Sequence, residues 1–442
     1  MMTELRVNRR SVLAGGLAAA GLAALSGCSP GQNGAARTLQ FWHLLSGGDG
    51  IALQGLIDGV NSAHPEFHVR PTVLAWGAPY YTKLSMAGAG GRAPELAVMH
   101  SSRVPGYVPG GLLDPWDLNR FRELGVDEST FSEPVWNSSV VDGELYSVAL
   151  DAHPFIALYN TDICEQAGVL DSDGQLLRPS DPEEFREMCR EIAGVTGTHG
   201  LSYGFIGDGQ QMWRLFYTLY CQHGAEMTFP PGGQVEMDPE AFAAVLEFMH
   251  SLADGEIAAQ RGTIDVAIAE FAAQRSGIHF TGVWELPAMQ DAGVPVGATM
   301  IPPLFGGNAV YADSHSFVLP HQSEPDEQAR HDTYTVVADL LKSSLTWAAA
   351  GHIPAYLPIV EDPAYAELTP QAEYAEAADY LVYDPVAWFT GSGSNFVQQF
   401  GQIVGGAVVS GSGYAEAAEG FRSYVNTMLA QPNPADPQGE RS

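Results

Sequence analysis

Three tryptophans stand beside short polar residues on stretches that read as connections following strands. Trp42-His43 runs into Leu44-Leu45-Ser46-Gly47-Gly48-Asp49, Trp213 closes Gln210-Gln211-Met212-Trp213, and Trp284 lies in Thr281-Gly282-Val283-Trp284-Glu285. A flat indole face matches the C–H face of a sugar ring, and Ser, His, Asp and Glu side chains can pair hydroxyls that would otherwise be buried without partners. Together those residue types are the chemistry of a carbohydrate site. Taken singly, each tryptophan fits a hydrophobic core equally well.

Signatures of covalent chemistry are sparse. No P-loop and no H-E-x-x-H zinc motif occurs, and no C-x-x-C or Cys/His cluster has zinc-site spacing. Carboxylates are so numerous that no Asp/Glu pair can be singled out for glycosidic acid–base work. The reading is a binding protein without a cofactor rather than an enzyme.

Elements able to position such residues follow from periodicity. Short apolar runs alternate with helical patterns, which predicts an α/β fold with mainly parallel strands. Strands are expected at 38–45, 67–75, 144–151, 155–160, 277–284, 296–301 and 314–320. Leu53, Leu56, Ile57 and Val60 fall at helical spacing and predict a helix over 51–61. Asp181-Pro182-Glu183-Glu184 and Asp238-Pro239-Glu240 supply an N-cap followed by proline, with Gly194 and Gly255 as the expected stops. A further helix is expected within 323–345.

At 442 residues and 45% hydrophobic, the chain exceeds what one core usually organises, and two lobes are expected. Its 52 Asp+Glu against 20 Lys+Arg give a formal charge of −32. That balance lacks the basic footprint needed to replace nucleic-acid counterions, so nucleic acids and anionic headgroups are poor partners.

The first 27 residues have the layout of an export signal, with Arg6, Arg9 and Arg10 before an apolar stretch too short to span a membrane. Asn8-Arg9-Arg10-Ser11-Val12-Leu13 resembles the twin-arginine motif, and Leu25-Ser26-Gly27-Cys28 resembles the bacterial lipobox, which implies lipidation at Cys28 and a tether over 28–37. Cys164, Cys189 and Cys221 remain, open either to one disulfide with a free thiol or to three free thiols.

Several segments, in order along the mature chain, resemble the extracellular solute-binding proteins of sugar ABC importers, the family that includes maltose-binding and glycerol-3-phosphate-binding proteins. Leu39-Gln40-Phe41-Trp42-His43 with its Ser-Gly turn is similar to the family's opening strand and ligand loop. Pro94-Glu95-Leu96-Ala97-Val98-Met99, Gly110-Gly111-Leu112-Leu113-Asp114-Pro115 and Gly351-His352-Ile353-Pro354 match later turns. The most specific stretch is Gly143-Glu144-Leu145-Tyr146-Ser147-Val148-Ala149 leading to Tyr159-Asn160-Thr161-Asp162, with Ala149 where the family usually carries proline.

The resemblance implies a two-lobed, periplasmic-binding-protein-like fold with three hinge crossings and a ligand cleft between the lobes. Lobe one is expected at 38–150 plus 314–360, lobe two at 151–313 plus 361–435, and a disordered tail at 436–442. It further implies capture of a sugar or oligosaccharide by closure, delivery to permease subunits, and a monomer. Ligand contacts would come from Trp42, His43, Ser46, Asp49 and Arg103 on lobe one, and from Asp151, His153 and His315 at the crossings. His352 lies on the G-x-x-P loop, and Trp213, Trp284, Glu285, Ser392, Ser394 and Asn395 belong to lobe two. Competing readings are a receptor for glycerol 3-phosphate or its diesters, a carbohydrate-active enzyme, and a ferric-ion clamp using Tyr80-Tyr81.

Overall fold

The computed structural model describes residues 36–437. The signal segment, Cys28 with most of the tether, and residues 438–442 lie outside the described residues. Arg37 belongs to the first strand rather than to the tether, and its guanidinium pairs with Asp332.

Two sheets share the chain. β1 (Arg37–His43), β2 (Phe67–Val73), β3 (Leu96–His100) and β4 (Leu113–Asp114) begin the first; the hairpin β5 (Val140–Val141) and β6 (Glu144–Leu145) then leads to β7 (Ser147–Ala149). β8 (Asp151–Asn160), β9 (Leu201–Ser202), β10 (Ile278–Gly282), β11 (Val296–Met300) and β12 (Val310–Asp313) build the second sheet. β13 (His315–Pro320) returns to the first, and β14 (Ile353–Pro354) and β15 (Leu381–Val382) rejoin the second. The orders are β2-β1-β3-β13-β4, with β7 on β13, and β15-β12-β8-β10-β9, with β11 and β14 on β8.

These sheets are mixed, which corrects the expectation of mainly parallel strands. β1 runs parallel to β2 and β3, but β8 is antiparallel to β10, β11, β12 and β14. The reason is topological: each time the chain re-enters the second sheet beside β8 it arrives from the opposite end. β8 also merges the end of one expected strand with the whole of another. All ten of its residues are buried, with Phe155, Ala157 and Tyr159 in one core and Ala152, Ile156 and Leu158 in the other. Side chains alternate across a strand, so a strand covered on both faces is apolar throughout its centre.

Helix starts follow the sequence closely. Asp181 accepts from the amides of Glu183 and Glu184, and Asp238 from those of Glu240 and Ala241. The stops differ. Helix Pro182–Thr196 passes through Gly194 to Gly197, which takes the left-handed conformation at φ +66°, and helix Pro239–Leu252 ends before Gly255. Glycine caps a helix by adopting that conformation, not by its presence alone.

The segment after helix Tyr414–Leu429 is docked rather than free up to Asp436. Asn433 Nδ2 donates to Gly106 O at 3.2 Å, and Ala435 lies so close to Gly110 that a Cβ there would stand 2.6 Å from the Ala435 carbonyl. Cys164, Cys189 and Cys221 are free thiols, with burial pushing Cys164 and Cys221 up to about 12. Among the described residues no helix is long and apolar enough to cross a membrane.

Asp238→Ala removes an N-cap that serves two amides, and a loss of about 1 kcal/mol is expected in urea unfolding, with the m-value unchanged.

Candidate functional site at the chain crossings

Three passes of the chain between the sheets meet within a few ångströms. One residue, Leu150, separates β7 from β8, and one, Ser314, separates β12 from β13. Leu150 N donates to His315 O at 2.7 Å, and Ala355 N donates to Leu150 O at 3.1 Å. The third pass is bound directly, since Ile353 and Pro354 pair with Ala152 and Asp151.

Asp151 is the centre of this junction and is fully buried. Its Oδ1 lies 3.0 Å from His153 Nδ1 and accepts from His315 N at 2.8 Å; its Oδ2 lies 2.8 Å from His315 Nδ1 and accepts from Trp347 Nε1 at 2.6 Å. His352 Nδ1 stands 3.2 Å from the same Oδ2 without making a hydrogen bond. Burial alone would push the Asp151 carboxyl up, but His315, His352 and His153 outweigh it and hold it well below the usual range. Burial likewise pushes His315 down, and Asp151 and Asp49 more than compensate, whereas burial and His315 together hold His153 down.

His352 carries the junction towards lobe one, where its Nε2 lies 3.0 Å from Asp49 Oδ1. Asp49 sits in the first turn of helix Gly47–Ala63, where a carboxylate also suits the helix dipole. Glu285 faces the same space, and burial followed by the Asp49 charge raises its carboxyl.

Trp284 is half-buried just beyond β10, with Arg214 over its face at 4.6 Å and His153 edge-on at 5.9 Å. Gly282 makes room for it, because a Cβ there would lie 2.0 Å from the indole. On another side of the cleft the lobes are joined through Asp313. Ser102 Oγ and Ser392 Oγ both donate to Asp313 Oδ2, the latter at 2.6 Å, while Arg103 Nη1 donates to Thr390 O at 2.9 Å.

The structure therefore gathers Asp49, Asp151, His153, Trp284, Glu285, His315 and His352 around one junction. Arg103 and Ser392 join the neighbouring contact between the lobes, and Ser394 is buried with an unpaired hydroxyl at the N-cap of helix Asn395–Ser410. Trp42 is half-buried with Lys83 Nζ 4.8 Å from its ring centre. His43 is buried beside Phe41 and pushed down to about 4 by that burial, and Ser46 and Asn395 are exposed without hydrogen-bonded side-chain contacts to the cluster.

Trp213 is a correction. It is fully buried in the second core, stacked on Tyr217 at 4.9 Å, and its Nε1 donates to Asp384 Oδ1 at 2.6 Å. A helix whose residues are buried nearly all round, as in Gly209–Gln222, turns its tryptophan inward. Tyr80 and Tyr81 do not form a ferric clamp either. Tyr80 donates to Val98 O at 2.5 Å, Tyr81 OH lies 2.7 Å from His100 Nδ1, and burial pushes both phenols up, away from the tyrosinate an iron site needs.

Four contributors escaped the sequence reading: His100, 5.0 Å from His315 between ring centres; Trp347; Arg214; and Asp313. So did the run Gly200-Leu201-Ser202-Tyr203-Gly204, which has the spacing of a nucleophile elbow. Ser202 Oγ does lie 2.9 Å from His279 Nδ1. Both residues, however, are buried partners on the paired strands β9 and β10, whereas an elbow exposes its serine on a strand-to-helix turn.

Two α/β lobes joined by three passes, with a polar seam at the junction, define a two-lobed ligand-binding receptor. Residues 63–331 match the bacterial extracellular solute-binding protein family, and the chain belongs to that family. Its fold is that of the cyclic alpha-maltosyl-1,6-maltose binding protein from Arthrobacter globiformis: 18% identity, TM-score 0.71, and 89% and 99% of the two chains covered. The sugar-binding protein MalE from Xanthomonas citri is similar at 16% identity and TM-score 0.72, covering 89% of this chain and 97% of that one. The sn-glycerol-3-phosphate-binding periplasmic protein of Salmonella typhimurium is 26% identical over 234 residues, 51% of this chain and 49% of the relative. The chain thus spans about half or less of the length of the curated relatives it matches, 40% for a putative binding protein of Brucella abortus.

The Trp213 partner gives a pH test. Burial, then the Asp313 charge, push Asp384 up to about 7 against the hydrogen bond from Trp213, the charge of Arg214 and the hydrogen bond from Tyr311. The folded state then binds more protons than the unfolded chain between about pH 4 and 7, so this group's contribution to stability falls as pH rises through that window. Asp384→Asn removes the contribution. The stability of the variant relative to the parent is expected to rise by up to roughly 1.4 kcal/mol per pH unit across the window, read from urea unfolding at several pH values.

Proposed function

We propose that this protein is the substrate-binding subunit of an ABC importer, capturing a sugar or oligosaccharide between two closing lobes and delivering it to the permease. The observation that carries this reading is Trp284, a half-buried indole at the seam with carboxylates and imidazoles around it. An aromatic platform takes the apolar face of a pyranose, Asp49 and Glu285 supply acceptors for hydroxyls, and Arg214 beside the indole supplies donors. Because partners come from both lobes, only the closed state satisfies the ligand on all sides, and binding shifts the population towards it. Membership of a family of binding proteins supports capture rather than turnover.

A glycerol 3-phosphate reading has support from the relatives that bind it and from Arg103 and Arg214. Four carboxylates at or beside the crossings, Asp49, Asp151, Glu285 and Asp313, oppose a phosphate dianion. Export by the twin-arginine route, lipidation of Cys28, a position on the outer face of the cytoplasmic membrane and a monomeric state complete the proposal.

A thermal-shift screen followed by calorimetry tests the ligand class. One saccharide is expected to raise the melting temperature by several degrees with no product released, an effect of about 2.7 kcal/mol at a hundredfold excess over Kd. Trp284→Ala is expected to weaken that ligand about tenfold or more, a loss of about 1.4 kcal/mol or more. A shift with sn-glycerol 3-phosphate and none with any saccharide overturns the sugar assignment, and hydrolysis of a glycoside overturns the receptor reading. Separately, Cys28→Ser is expected to move the protein from the membrane to the soluble fraction of cells.

A further inference from the structure

We infer that Asp151, His153, His315 and His352 form a site for one divalent transition-metal ion of the zinc class, which pins the three chain crossings together. The four residues each present a ligand atom, all are buried, and those atoms lie within 4.8 Å of one another. Three imidazole nitrogens and one carboxylate oxygen are a donor set that suits zinc or nickel and not calcium or magnesium, which take oxygen.

The geometry is close to what an ion requires. The Nδ1 atoms of His315, His153 and His352 stand 2.8, 3.0 and 3.2 Å from carboxylate oxygens of Asp151. Donors at tetrahedral zinc, with bonds of about 2.0–2.1 Å, are about 3.3 Å apart, so small side-chain rotations bring the set to bonding distance. His352 Nδ1 is the independent sign of a missing partner: it is fully buried, faces Asp151 and makes no hydrogen bond. A buried imidazole nitrogen without a partner costs free energy unless a donor, an acceptor or an ion fills the position.

Outer partners are also in place. Asp49 Oδ1 lies 3.0 Å from His352 Nε2, the carboxylate–histidine arrangement that fixes the ring and raises its basicity towards a metal on the other nitrogen. Trp347 Nε1, at 2.6 Å, and His315 N, at 2.8 Å, orient the Asp151 carboxylate. The ligands come from three separate passes, so an ion bound here links residues that no local sequence holds together. This inference does not depend on what the cleft captures, and its test contains no saccharide or glycerol phosphate.

The untagged purified protein, stripped with a chelator, is dialysed against zinc and separately against cobalt. Retention of one equivalent per chain by elemental analysis, with the intense visible bands of tetrahedral cobalt, is expected. His153→Gln and His352→Gln are each expected to weaken retention tenfold or more, while His321→Gln, on the surface beside Asp114, leaves it unchanged. Circular dichroism verifies that each variant is folded, and if one of the two cluster variants is not, the other decides. No retained ion overturns the site, as does retention that survives the cluster substitutions or is lost on changing His321.

Discussion

A buried carboxylate organises this molecule. An ionised Asp151 without water is tolerable only if donors surround it, and the four groups that do so come from three places in the chain: His153, the backbone and ring of His315, and Trp347, with the His352 ring beside them but not hydrogen-bonded. Each donor is usable only when its own segment arrives at the junction in register. The start of β8, the start of β13 and the helix bearing Trp347 are therefore fixed by one charge. The backbone bonds on either side of Leu150 add to this, so the hinge is a knot of short contacts rather than three independent linkers.

Much of the architecture was legible in the sequence because its determinants are local. Asp181 and Asp238 cap the helices they precede, and Leu53, Leu56, Ile57 and Val60 form the buried stripe of the first helix. Gly282-Val283-Trp284 also reads locally, since the glycine is the space that the indole needs. What failed was nonlocal. The side chain of Trp213 is satisfied by Asp384, 171 residues away, and nothing near it in sequence distinguishes it from a cleft tryptophan. Strand direction around β8 depends on where later segments return, which hydrophobic pattern does not encode. Asp151, His153, His315 and His352 were each singled out as ligand contacts, but their meeting around one carboxylate is a product of the crossings, and His100, Trp347 and Arg214 entered only with it.

The contact between lobes on the side of Asp313 has a different character. Ser102 and Arg103 reach across from the first lobe with short hydrogen bonds to a carboxylate and a backbone carbonyl, and Gly391 permits it because a Cβ there would lie 2.7 Å from Ser102 O. Asp313, Ser392 and Thr390 are buried like the Asp151 cluster, but Ser102 and Arg103 reach Asp313 and Thr390 from the other lobe, so these bonds part when the lobes separate, whereas the Asp151 cluster turns with the hinge. Closure and pivot are thus separated physically: hydroxyls and a guanidinium meet at the seam, imidazoles and a carboxylate at the axis.

The docking of Asn433–Asp436 adds an element of another kind. The helix Tyr414–Leu429 packs in the second core, yet a few residues later the chain rests on Gly106 and Gly110 of the first lobe. The late chain therefore acts as a strap across the outside of the joint, held at one end by apolar packing and at the other by contacts that include the Asn433 amide and a close approach to Gly110. A reporter group attached to this strap would sense the opening of the receptor without touching the cleft, turning a structural fastening into a built-in gauge of occupancy.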